Sequence, residues 1–241
     1  MTKSEHKEIA ALLDAYDANL DIVSRFMKSV LLALTESSLL APHCHSFKSR
    51  MKSRASLKDK LERKLAASKS HGPRFGVNPR NLLLKINDLA GIRILHLHTT
   101  QFTKIDVALR DIFNEERYVL VEGPFARTWD DESRAFFGVN GVRVENSPTL
   151  YTSVHYIIES DSRTKVTCEI QVRTLMEEVW GEVDHLVNYP HKSTSVACGE
   201  QIKALARSTS AATRLVDSIF ATVEDHNQHK RRRRPKRKQQ H

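Results

Sequence analysis

Residues 168–174, with the sequence Cys-Glu-Ile-Gln-Val-Arg-Thr, carry three polar side chains that could act together chemically. Successive side chains of a β-strand point to opposite faces, so Glu169, Gln171 and Arg173 would share one face and the apolar residues the other. A solvated polar face is the commoner meaning of this alternation. The other interpretation is a site lined by a carboxylate, an amide and a guanidinium.

A second acidic residue stands before another predicted strand. Asp88 precedes the apolar strand 92–97, and Arg93 lies at the start of that strand. A single Asp at the entrance of a strand is usually a turn residue, so Asp88 gains a role only if the sheet brings it near Glu169. Two carboxylates with arginines close by are suited to hold a divalent metal and a polyphosphate together.

Basic residues are concentrated in front of and along a third predicted element, a helix. Ser53 is expected to cap this helix, whose apolar stripe is Leu57, Leu61 and Leu65. The basic residues are Arg50, Lys52, Arg54, Lys60, Arg63 and Lys64. Charge alone leaves two interpretations open, a solvated basic face and a phosphate-binding face.

Further helices and strands must position these residues. Apolar residues that recur every three or four positions predict helices at 4–35 (one helix or a pair), 102–116 and 195–225. Period-two alternation predicts strands at 118–122 and 151–158. The segment between these strands, 124–149, is predicted to be a long irregular loop, which in a compact domain is usually functional or disordered.

Composition limits the class of protein. The chain has 241 residues, a formal charge of +9 and 40% hydrophobic residues, which fits one domain with appended helices or two small domains. Apolar runs fall well short of the roughly 20 residues that a membrane span needs, and the N-terminus lacks the apolar region of a signal peptide. Cys44, Cys168 and Cys198 have no metal-binding spacing. We therefore expect reduced thiols, a cytoplasmic location and no membrane partner.

Four short motifs, in this order, resemble the successive motifs of the RelA/SpoT synthetase domain. They read Asp88-Leu-Ala-Gly-Ile-Arg93, Tyr151-Thr-Ser-Val-His155, Glu169-Ile-Gln-Val-Arg-Thr174 and Trp180-Gly-Glu-Val-Asp-His185, the last followed by Tyr189. The upstream residues that resemble the family's ATP-binding segment are Arg50, Lys52, Ser56, Lys60 and Arg63. Four motifs in order are a specific signal, whereas any one of them alone would be weak.

The resemblance implies an α+β fold: a nucleotidyltransferase-like mixed β-sheet flanked by helices, with N-terminal and C-terminal helices. The implied limits are 1–44 for an N-terminal helical segment, 45–192 for the synthetase domain, 193–228 for a C-terminal helix and 229–241 for a disordered basic tail. An upstream hydrolase half and downstream regulatory domains are not expected. The chain therefore most resembles a small alarmone synthetase, which transfers pyrophosphate from ATP to the 3′-hydroxyl of GDP or GTP and makes ppGpp or pppGpp.

The resemblance also implies roles for individual residues. Asp88 and Glu169 would hold Mg²⁺, and Glu169 would also accept the proton of the attacking hydroxyl. Tyr151 would stack on the acceptor base and His155 would contact acceptor phosphate, with Ser153 on the same strand face.

The remaining implied contacts are polar. The basic segment that contains Arg50, Lys52, Ser56, Lys60 and Arg63 would bind ATP. Arg93 and Arg173 would orient carboxylates or phosphates through their planar guanidinium groups, and Gln171 would make a polar contact beside them. Trp180 and His185 would serve the site or pack behind it.

The acceptor is where this sequence departs from the family. The family usually has Gly before the motif tyrosine, and here that residue is Leu150. GDP or GTP is favoured, with guanine selectivity expected from 124–149. An alternative is a toxic relative that modifies the tRNA 3′ end or uses adenine nucleotides. A second alternative is a non-catalytic RNA-binding module, which the basic tail would suit but which the retained Asp88 and Glu169 argue against. A homo-oligomeric partner is left open.

Overall fold

The computed structural model describes residues 1–70, 74–188 and 193–233. Its strands form one mixed sheet and are β1 (Ser46–Met51), β2 (Ala90–His96), β3 (Val119–Thr128), β4 (Arg143–Asn146), β5 (Ser153–Glu159) and β6 (Thr167–Thr174). Their order across the sheet is β1-β2-β6-β5-β3-β4. Strands β2 and β6 are parallel, as are β3 and β4, and the other neighbours are antiparallel.

Helices flank this sheet, which confirms the predicted α+β class. They are α1 (Lys3–Ala18), α2 (Leu20–Glu36), α3 (Arg54–Lys69), α4 (Leu82–Lys85), α5 (Gln101–Glu115), α6 (Asp131–Val139), α7 (Leu175–Asn188) and α8 (Val196–Arg233), with a short 3₁₀ turn at Ala41–His43. Among the described residues, no helix has the length and apolar character required to cross a bilayer.

The two faces of the sheet differ in polarity, as the alternation in β6 predicts. Cys168, Ile170 and Val172 are buried in the main hydrophobic core with the apolar residues of α1, α2 and α5. The opposite face of β6 carries Glu169, Gln171 and Arg173, and Arg173 forms an ion pair with Glu178 of α7. A smaller cluster centred on Trp180 joins α7 to α8, and the Trp180 indole N–H donates to the Ile202 carbonyl oxygen at 3.1 Å.

The register of the central strands aligns the polar residues. Gly91 is the partner of Glu169, and Arg93 is the partner of Gln171. On the other side of β6, His155 is the partner of Gln171. Since paired residues of neighbouring strands point to the same face, β2, β6 and β5 contribute one continuous polar patch.

The segment 124–149 is not the irregular loop that the sequence predicts. It completes β3, forms α6 and adds the edge strand β4. The alternation is lost because the register of β3 shifts around Gly123 and Pro124, and a bulge breaks a period-two pattern. Gly123 has φ of +102°, and a Cβ there would lie 2.4 Å from the His155 carbonyl oxygen.

Other boundaries shift by a few residues. The N-terminal helical segment is a pair, interrupted at Asn19. Strand β5 begins at Ser153 rather than at Tyr151. Leu150, three residues before the strand, has φ of +59°. Helix α8 continues past the expected limit of 228 to Arg233. The rest of the basic tail, 234–241, lies outside the described residues, as does Tyr189.

Candidate active site

Asp88 lies in the turn before β2, between two lysine side chains. Lys52 Nζ donates to one carboxylate oxygen and Lys60 Nζ to the other, both at 2.8 Å. Lys52 follows β1, and Lys60 lies on α3, which Ser53 caps as expected by accepting from the Ser56 N–H. Burial by itself would raise the pKa of Asp88, but the charges of Lys60 and Lys52 outweigh it and lower that pKa. Asp88 is therefore ionised at neutral pH.

Glu169 on β6 has two hydrogen-bonding partners of its own. His155 Nδ1 lies 2.9 Å from one carboxylate oxygen, and Gln171 Nε2 donates to the other at 3.0 Å. Burial raises the pKa of Glu169, the hydrogen bond and charge of His155 lower it, the charge of Asp88 raises it, and the balance is a lowered pKa. The influence of Asp88 reflects how close the two carboxylates are, and both line one cavity.

A chain of hydrogen bonds runs through Glu169 across the polar patch. The Tyr151 hydroxyl donates to Gln171 at 3.2 Å, and beyond Glu169 the Nε2 atom of His155 lies 2.7 Å from the Ser153 hydroxyl. The imidazole is 3% exposed and stacks on Phe125 with a centroid distance of 5.0 Å. Both ring nitrogens of His155 thus contact protein groups, and the ring supports Glu169 from behind. The resemblance implied a different role for His155, a contact with acceptor phosphate.

The cleft has two connected compartments. Arg50, Arg93 and Gln171 line both of them. The narrower compartment contains the carboxylates of Asp88 and Glu169. The wider one, about 320 Å³ in volume, is lined by polar and aromatic groups that include Tyr151, Arg173, Trp180 and His185.

Tyr151 forms an aromatic wall of the wider compartment. Its ring is half-buried, and the Arg173 guanidinium lies 5.6 Å from the ring centroid. The neighbouring Trp180 ring is 6.4 Å away. Burial is the main cause that raises the pKa of the Tyr151 hydroxyl, so this group remains a neutral hydrogen-bond donor. The compartment therefore offers an aromatic face beside a cation.

Acidic residues on α7 hold the cationic side chains of the cleft in place. Arg93 donates to Glu178 at 3.1 Å and to Glu182 at 2.5 Å, and Lys48 lies 3.3 and 3.0 Å from the same two carboxylates. Arg173 forms an ion pair with Glu178 as well. Lys48, Glu178 and Glu182 are not among the site residues predicted from the sequence. Their detectable signal is that Glu178 and Glu182 lie four residues apart, on one face of a helix.

Gly181 allows the Arg173 side chain to lie against α7. A Cβ at position 181 would be 2.7 Å from Arg173 Nη1, and Arg173 is itself 3% exposed. A larger residue at position 181 would therefore displace the Arg173 guanidinium, and the glycine of the fourth motif leaves room for it.

Two of the residues assigned to ATP binding occupy other positions. The Ser56 hydroxyl accepts from the Ser53 hydroxyl at the start of α3, 2.9 Å away. Arg63 is exposed farther along α3, where its Nε donates to the Asp59 carbonyl oxygen at 3.3 Å. The structure brings Arg50, Lys52 and Lys60 to the acidic pair, but it does not bring Ser56 or Arg63 there.

The acidic pair fits the ligand preference of Mg²⁺. Within the described residues, no group of three or more His, Cys, Asp or Glu side chains is arranged to hold a metal ion. Mg²⁺ is usually bound by one or two carboxylates, and water and substrate phosphates complete its octahedron. Asp88 and Glu169 supply two carboxylates at one cavity, so they could hold Mg²⁺ together with a bound polyphosphate.

Comparison with known proteins identifies a family and a similar fold. The family described as "Region found in RelA / SpoT proteins" matches residues 49–194. The fold is similar to the small alarmone synthetase 1 from Bacillus subtilis, with a TM-score of 0.58 and 17% identity over 87% of this chain and 96% of that one. The same Bacillus protein bound to its product pppGpp gives a TM-score of 0.54 at 17% identity, over 88% and 96%.

A second structural relative has the same overall fold. It is a GTP pyrophosphokinase family protein from Streptococcus pneumoniae, with a TM-score of 0.56 and 17% identity over 94% of this chain and 97% of that one. Comparison with the curated proteins gives no match. Because the family match covers more than half of the chain, this protein belongs to the RelA/SpoT family.

Proposed function

We propose that this member of the RelA/SpoT family transfers pyrophosphate from ATP to the 3′-hydroxyl of GDP or GTP. The observation that carries the proposal is the pair Asp88 and Glu169, both with lowered pKa and both lining one cavity. Family membership supports this class of reaction, and the Bacillus relative was solved with pppGpp as its product.

The narrow compartment and its basic rim would bind the donor. Arg50 lines it, and Lys52 and Lys60 stand at its acidic edge. Their ammonium groups balance the Asp88 carboxylate in the free protein and would contact ATP phosphates in the complex. When bound by Asp88 and Glu169, Mg²⁺ would neutralise part of the charge on the phosphate chain.

The wide compartment would bind the acceptor nucleoside. The half-buried Tyr151 ring offers a stacking surface, and stacking of one base on an aromatic ring contributes on the order of 1–3 kcal/mol. Arg173 lies beside that ring, fixed by Glu178. Stacking does not distinguish guanine from adenine, so selectivity must come from polar groups at the rim.

Glu169 would act as the general base. The acceptor 3′-oxygen would attack the β-phosphorus of ATP, the bond from that phosphorus to the oxygen bridging the α- and β-phosphates would break, and AMP would leave. The hydroxyl proton would pass to Glu169, which is ionised at neutral pH. His155 and Gln171 hold the carboxylate in one orientation through hydrogen bonds of 2.9 and 3.0 Å. His155 is therefore a positioning residue in this proposal.

The test is a transfer assay with ATP labelled in its β-phosphate, offered separately with GDP, GTP, ADP, unlabelled ATP and tRNA. We expect label in the guanine nucleotide and release of AMP, and no transfer by Glu169→Gln. Label on tRNA or on an adenine nucleotide, with none on GDP or GTP, would show that the acceptor is not a guanine nucleotide. Absence of transfer to every acceptor with Mg²⁺ present would contradict the proposed activity.

A further inference from the structure

A second polar cavity lies away from the catalytic cleft, where the first turns of α5 and α6 meet α7 and α8. Its volume is about 200 Å³. Four carboxylates line it, and they belong to Asp130, Glu132, Glu177 and Asp217. Arg214 is the guanidinium among the lining residues. The excess of carboxylates favours a cation over an anion as the occupant.

Arg214 is already engaged by two of these acids. Its Nη2 donates to Asp130 at 2.5 Å and to the Ser210 hydroxyl at 2.8 Å. Its Nη1 and Nε lie 3.2 and 3.1 Å from the two oxygens of Glu132. The guanidinium is therefore satisfied, and its charge is shared by Asp130 and Glu132.

Glu177 and Asp217 retain unused acceptor capacity. Glu177 is 7% exposed and lines the cavity, yet its carboxyl group has no hydrogen-bond partner among the residues that the structure describes. Asp217 accepts from the Thr99 backbone N–H through Oδ1, at 2.6 Å, and its Oδ2 is unpaired within the same described part of the chain. A buried carboxyl group without a donor is costly, so the Glu177 oxygens mark the place for a ligand, and Asp217 offers a further acceptor beside them.

Burial keeps the carboxyl group of Glu177 neutral at pH 7 in the free protein. Burial is the main cause and raises its pKa to about 8, Arg173 on β6 opposes the rise, and Asp130 at the start of α6 adds to it. The other charged or titratable groups that face it are Glu132 on α6, Arg214 and Asp217 on α8, and His96 on β2. His96 has a pKa lowered to about 4 by burial and is uncharged.

We propose that this cavity binds a small aliphatic amine, with its ammonium group between Glu177 and Asp217. A primary ammonium group presents three N–H donors, which match the unused carboxylate oxygens. The described residues include no cluster suited to a metal ion, and the volume exceeds that of a single ion. Phe136 forms part of the wall and would contact the aliphatic chain. The inference does not depend on the proposed reaction, because its residues are separate from Asp88 and Glu169.

Calorimetric titration of the full chain with 1,4-diaminobutane tests the proposal. Binding requires the ionised form of Glu177, and both ammonium groups stay protonated at the pH values used. With the pKa near 8, the ionised fraction predicts about fifty-fold tighter binding at pH 8 than at pH 6. n-Butylamine, which has the same chain length and one ammonium group, should bind with the same dependence on pH.

Three variants complete the design. Glu177→Gln keeps the shape of the side chain and should weaken binding about tenfold or more at pH 8 and remove the pH dependence. Asp217→Asn should also weaken binding. Asp161→Asn, an exposed acid on the turn between β5 and β6, should bind like the wild type.

Several outcomes would overturn the proposal. They are equal affinity of the wild type and Glu177→Gln, affinity that does not change between pH 6 and 8, and heat on addition of MgCl₂ but none with the diamine. Each is measured as binding, so a protein that fails to transfer pyrophosphate can still pass this test.

Discussion

Glu169 in the cleft and Glu177 in the second cavity are neighbouring acids in the chain and are both largely buried, yet their pKa values shift in opposite directions. Burial raises the pKa of both. Glu169 accepts hydrogen bonds from His155 and Gln171, whereas the carboxyl group of Glu177 has no such donor in the described structure. Hydrogen-bond donors and the charge of His155 offset the effect of burial on the pKa of Glu169, whereas burial dominates the pKa of Glu177.

Removal of the negative charge of Glu169 should have the largest effect of the changes considered, a loss of catalytic rate. Glu169→Gln retains size and hydrogen-bonding capacity but cannot accept the proton, so we expect kcat to fall by about 10³-fold or more. The β-phosphate-labelled transfer assay measures this. The variant should unfold within a few degrees of the wild type, as followed by circular dichroism, and a variant with full activity would remove Glu169 from catalysis.

Removal of the titrating group from the second cavity should instead stabilise the protein. The folded pKa of Glu177 is about 8 and its ordinary value 4.5, so wild-type stability should decline as pH rises from about 4.5 to 8 and then level off. The stability of Glu177→Gln should not decline over this pH range. We expect a gain on the order of 3 kcal/mol at pH 8 and little at pH 4, measured by urea unfolding.

A gain for Glu177→Gln that is the same at both pH values would show that Glu177 is not the titrating group. Glu145→Gln serves as the comparison, because Glu145 is partly exposed on β4 and pairs with Arg127 and Arg143.

Loss of a donor should make Glu169 behave more like Glu177. In His155→Ala the hydrogen bond to Glu169 is absent, so the pKa of Glu169 should rise and the acidic limb of kcat/KM should move to higher pH. A hydrogen bond to a charged group is worth about 1.5–3 kcal/mol, which predicts a loss of about tenfold or more in rate at pH 6.

His155→Asn provides the matched control for this profile, because its amide N–H can still donate from near the position of Nδ1. His155→Asn should recover part of the lost rate, and the acidic limb of its kcat/KM profile should lie close to that of the wild type. Identical pH profiles for the Ala and Asn variants would mean that His155 acts through packing against Phe125 alone.

Substitution of the exposed acid Glu122 should have the smallest effect, and that effect is on the free energy of unfolding. Arg143 lies 2.9 Å from Glu145 and 3.4 Å from Glu122, and the Arg143 and Glu122 side chains are well exposed, so water screens these pairs. Glu122→Gln should change the free energy of unfolding by about 0.5 kcal/mol or less. A loss above about 1.5 kcal/mol in urea unfolding would indicate that burial is not what separates these acids from those in the two cavities.

Much of the cleft could be predicted because it depends on strand alternation. Period two places Glu169, Gln171 and Arg173 on one face, and the parallel pairing of β6 with β2 brings Asp88 to the same place. The rest depends on side-chain directions that a sequence pattern does not specify. Alternation places His155 on the correct face but does not show that its ring points inward to Glu169.

Two further features escaped prediction for identifiable reasons. The bulge at Gly123 and Pro124 hides the second half of strand β3, because the pattern is read as a single uninterrupted period. Glu177 and Glu178 are adjacent, and their sequence context does not separate them. Glu178 pairs with Arg173 across the cleft. Glu177 faces a cavity that exists only after α8 packs against α7.

The position of β6 in the sheet has a consequence for how the protein is made. Strands β1 and β2 lie on one side of β6, and β5, β3 and β4 lie on the other, so β6 joins two half-sheets. It is also the last strand among the residues that the structure describes. As the polypeptide leaves the ribosome, Asp88 emerges well before Glu169, and the two come together only when β6 inserts between its neighbours. Parallel pairing between distant segments forms slowly, so the acquisition of activity should coincide with the final step of sheet assembly.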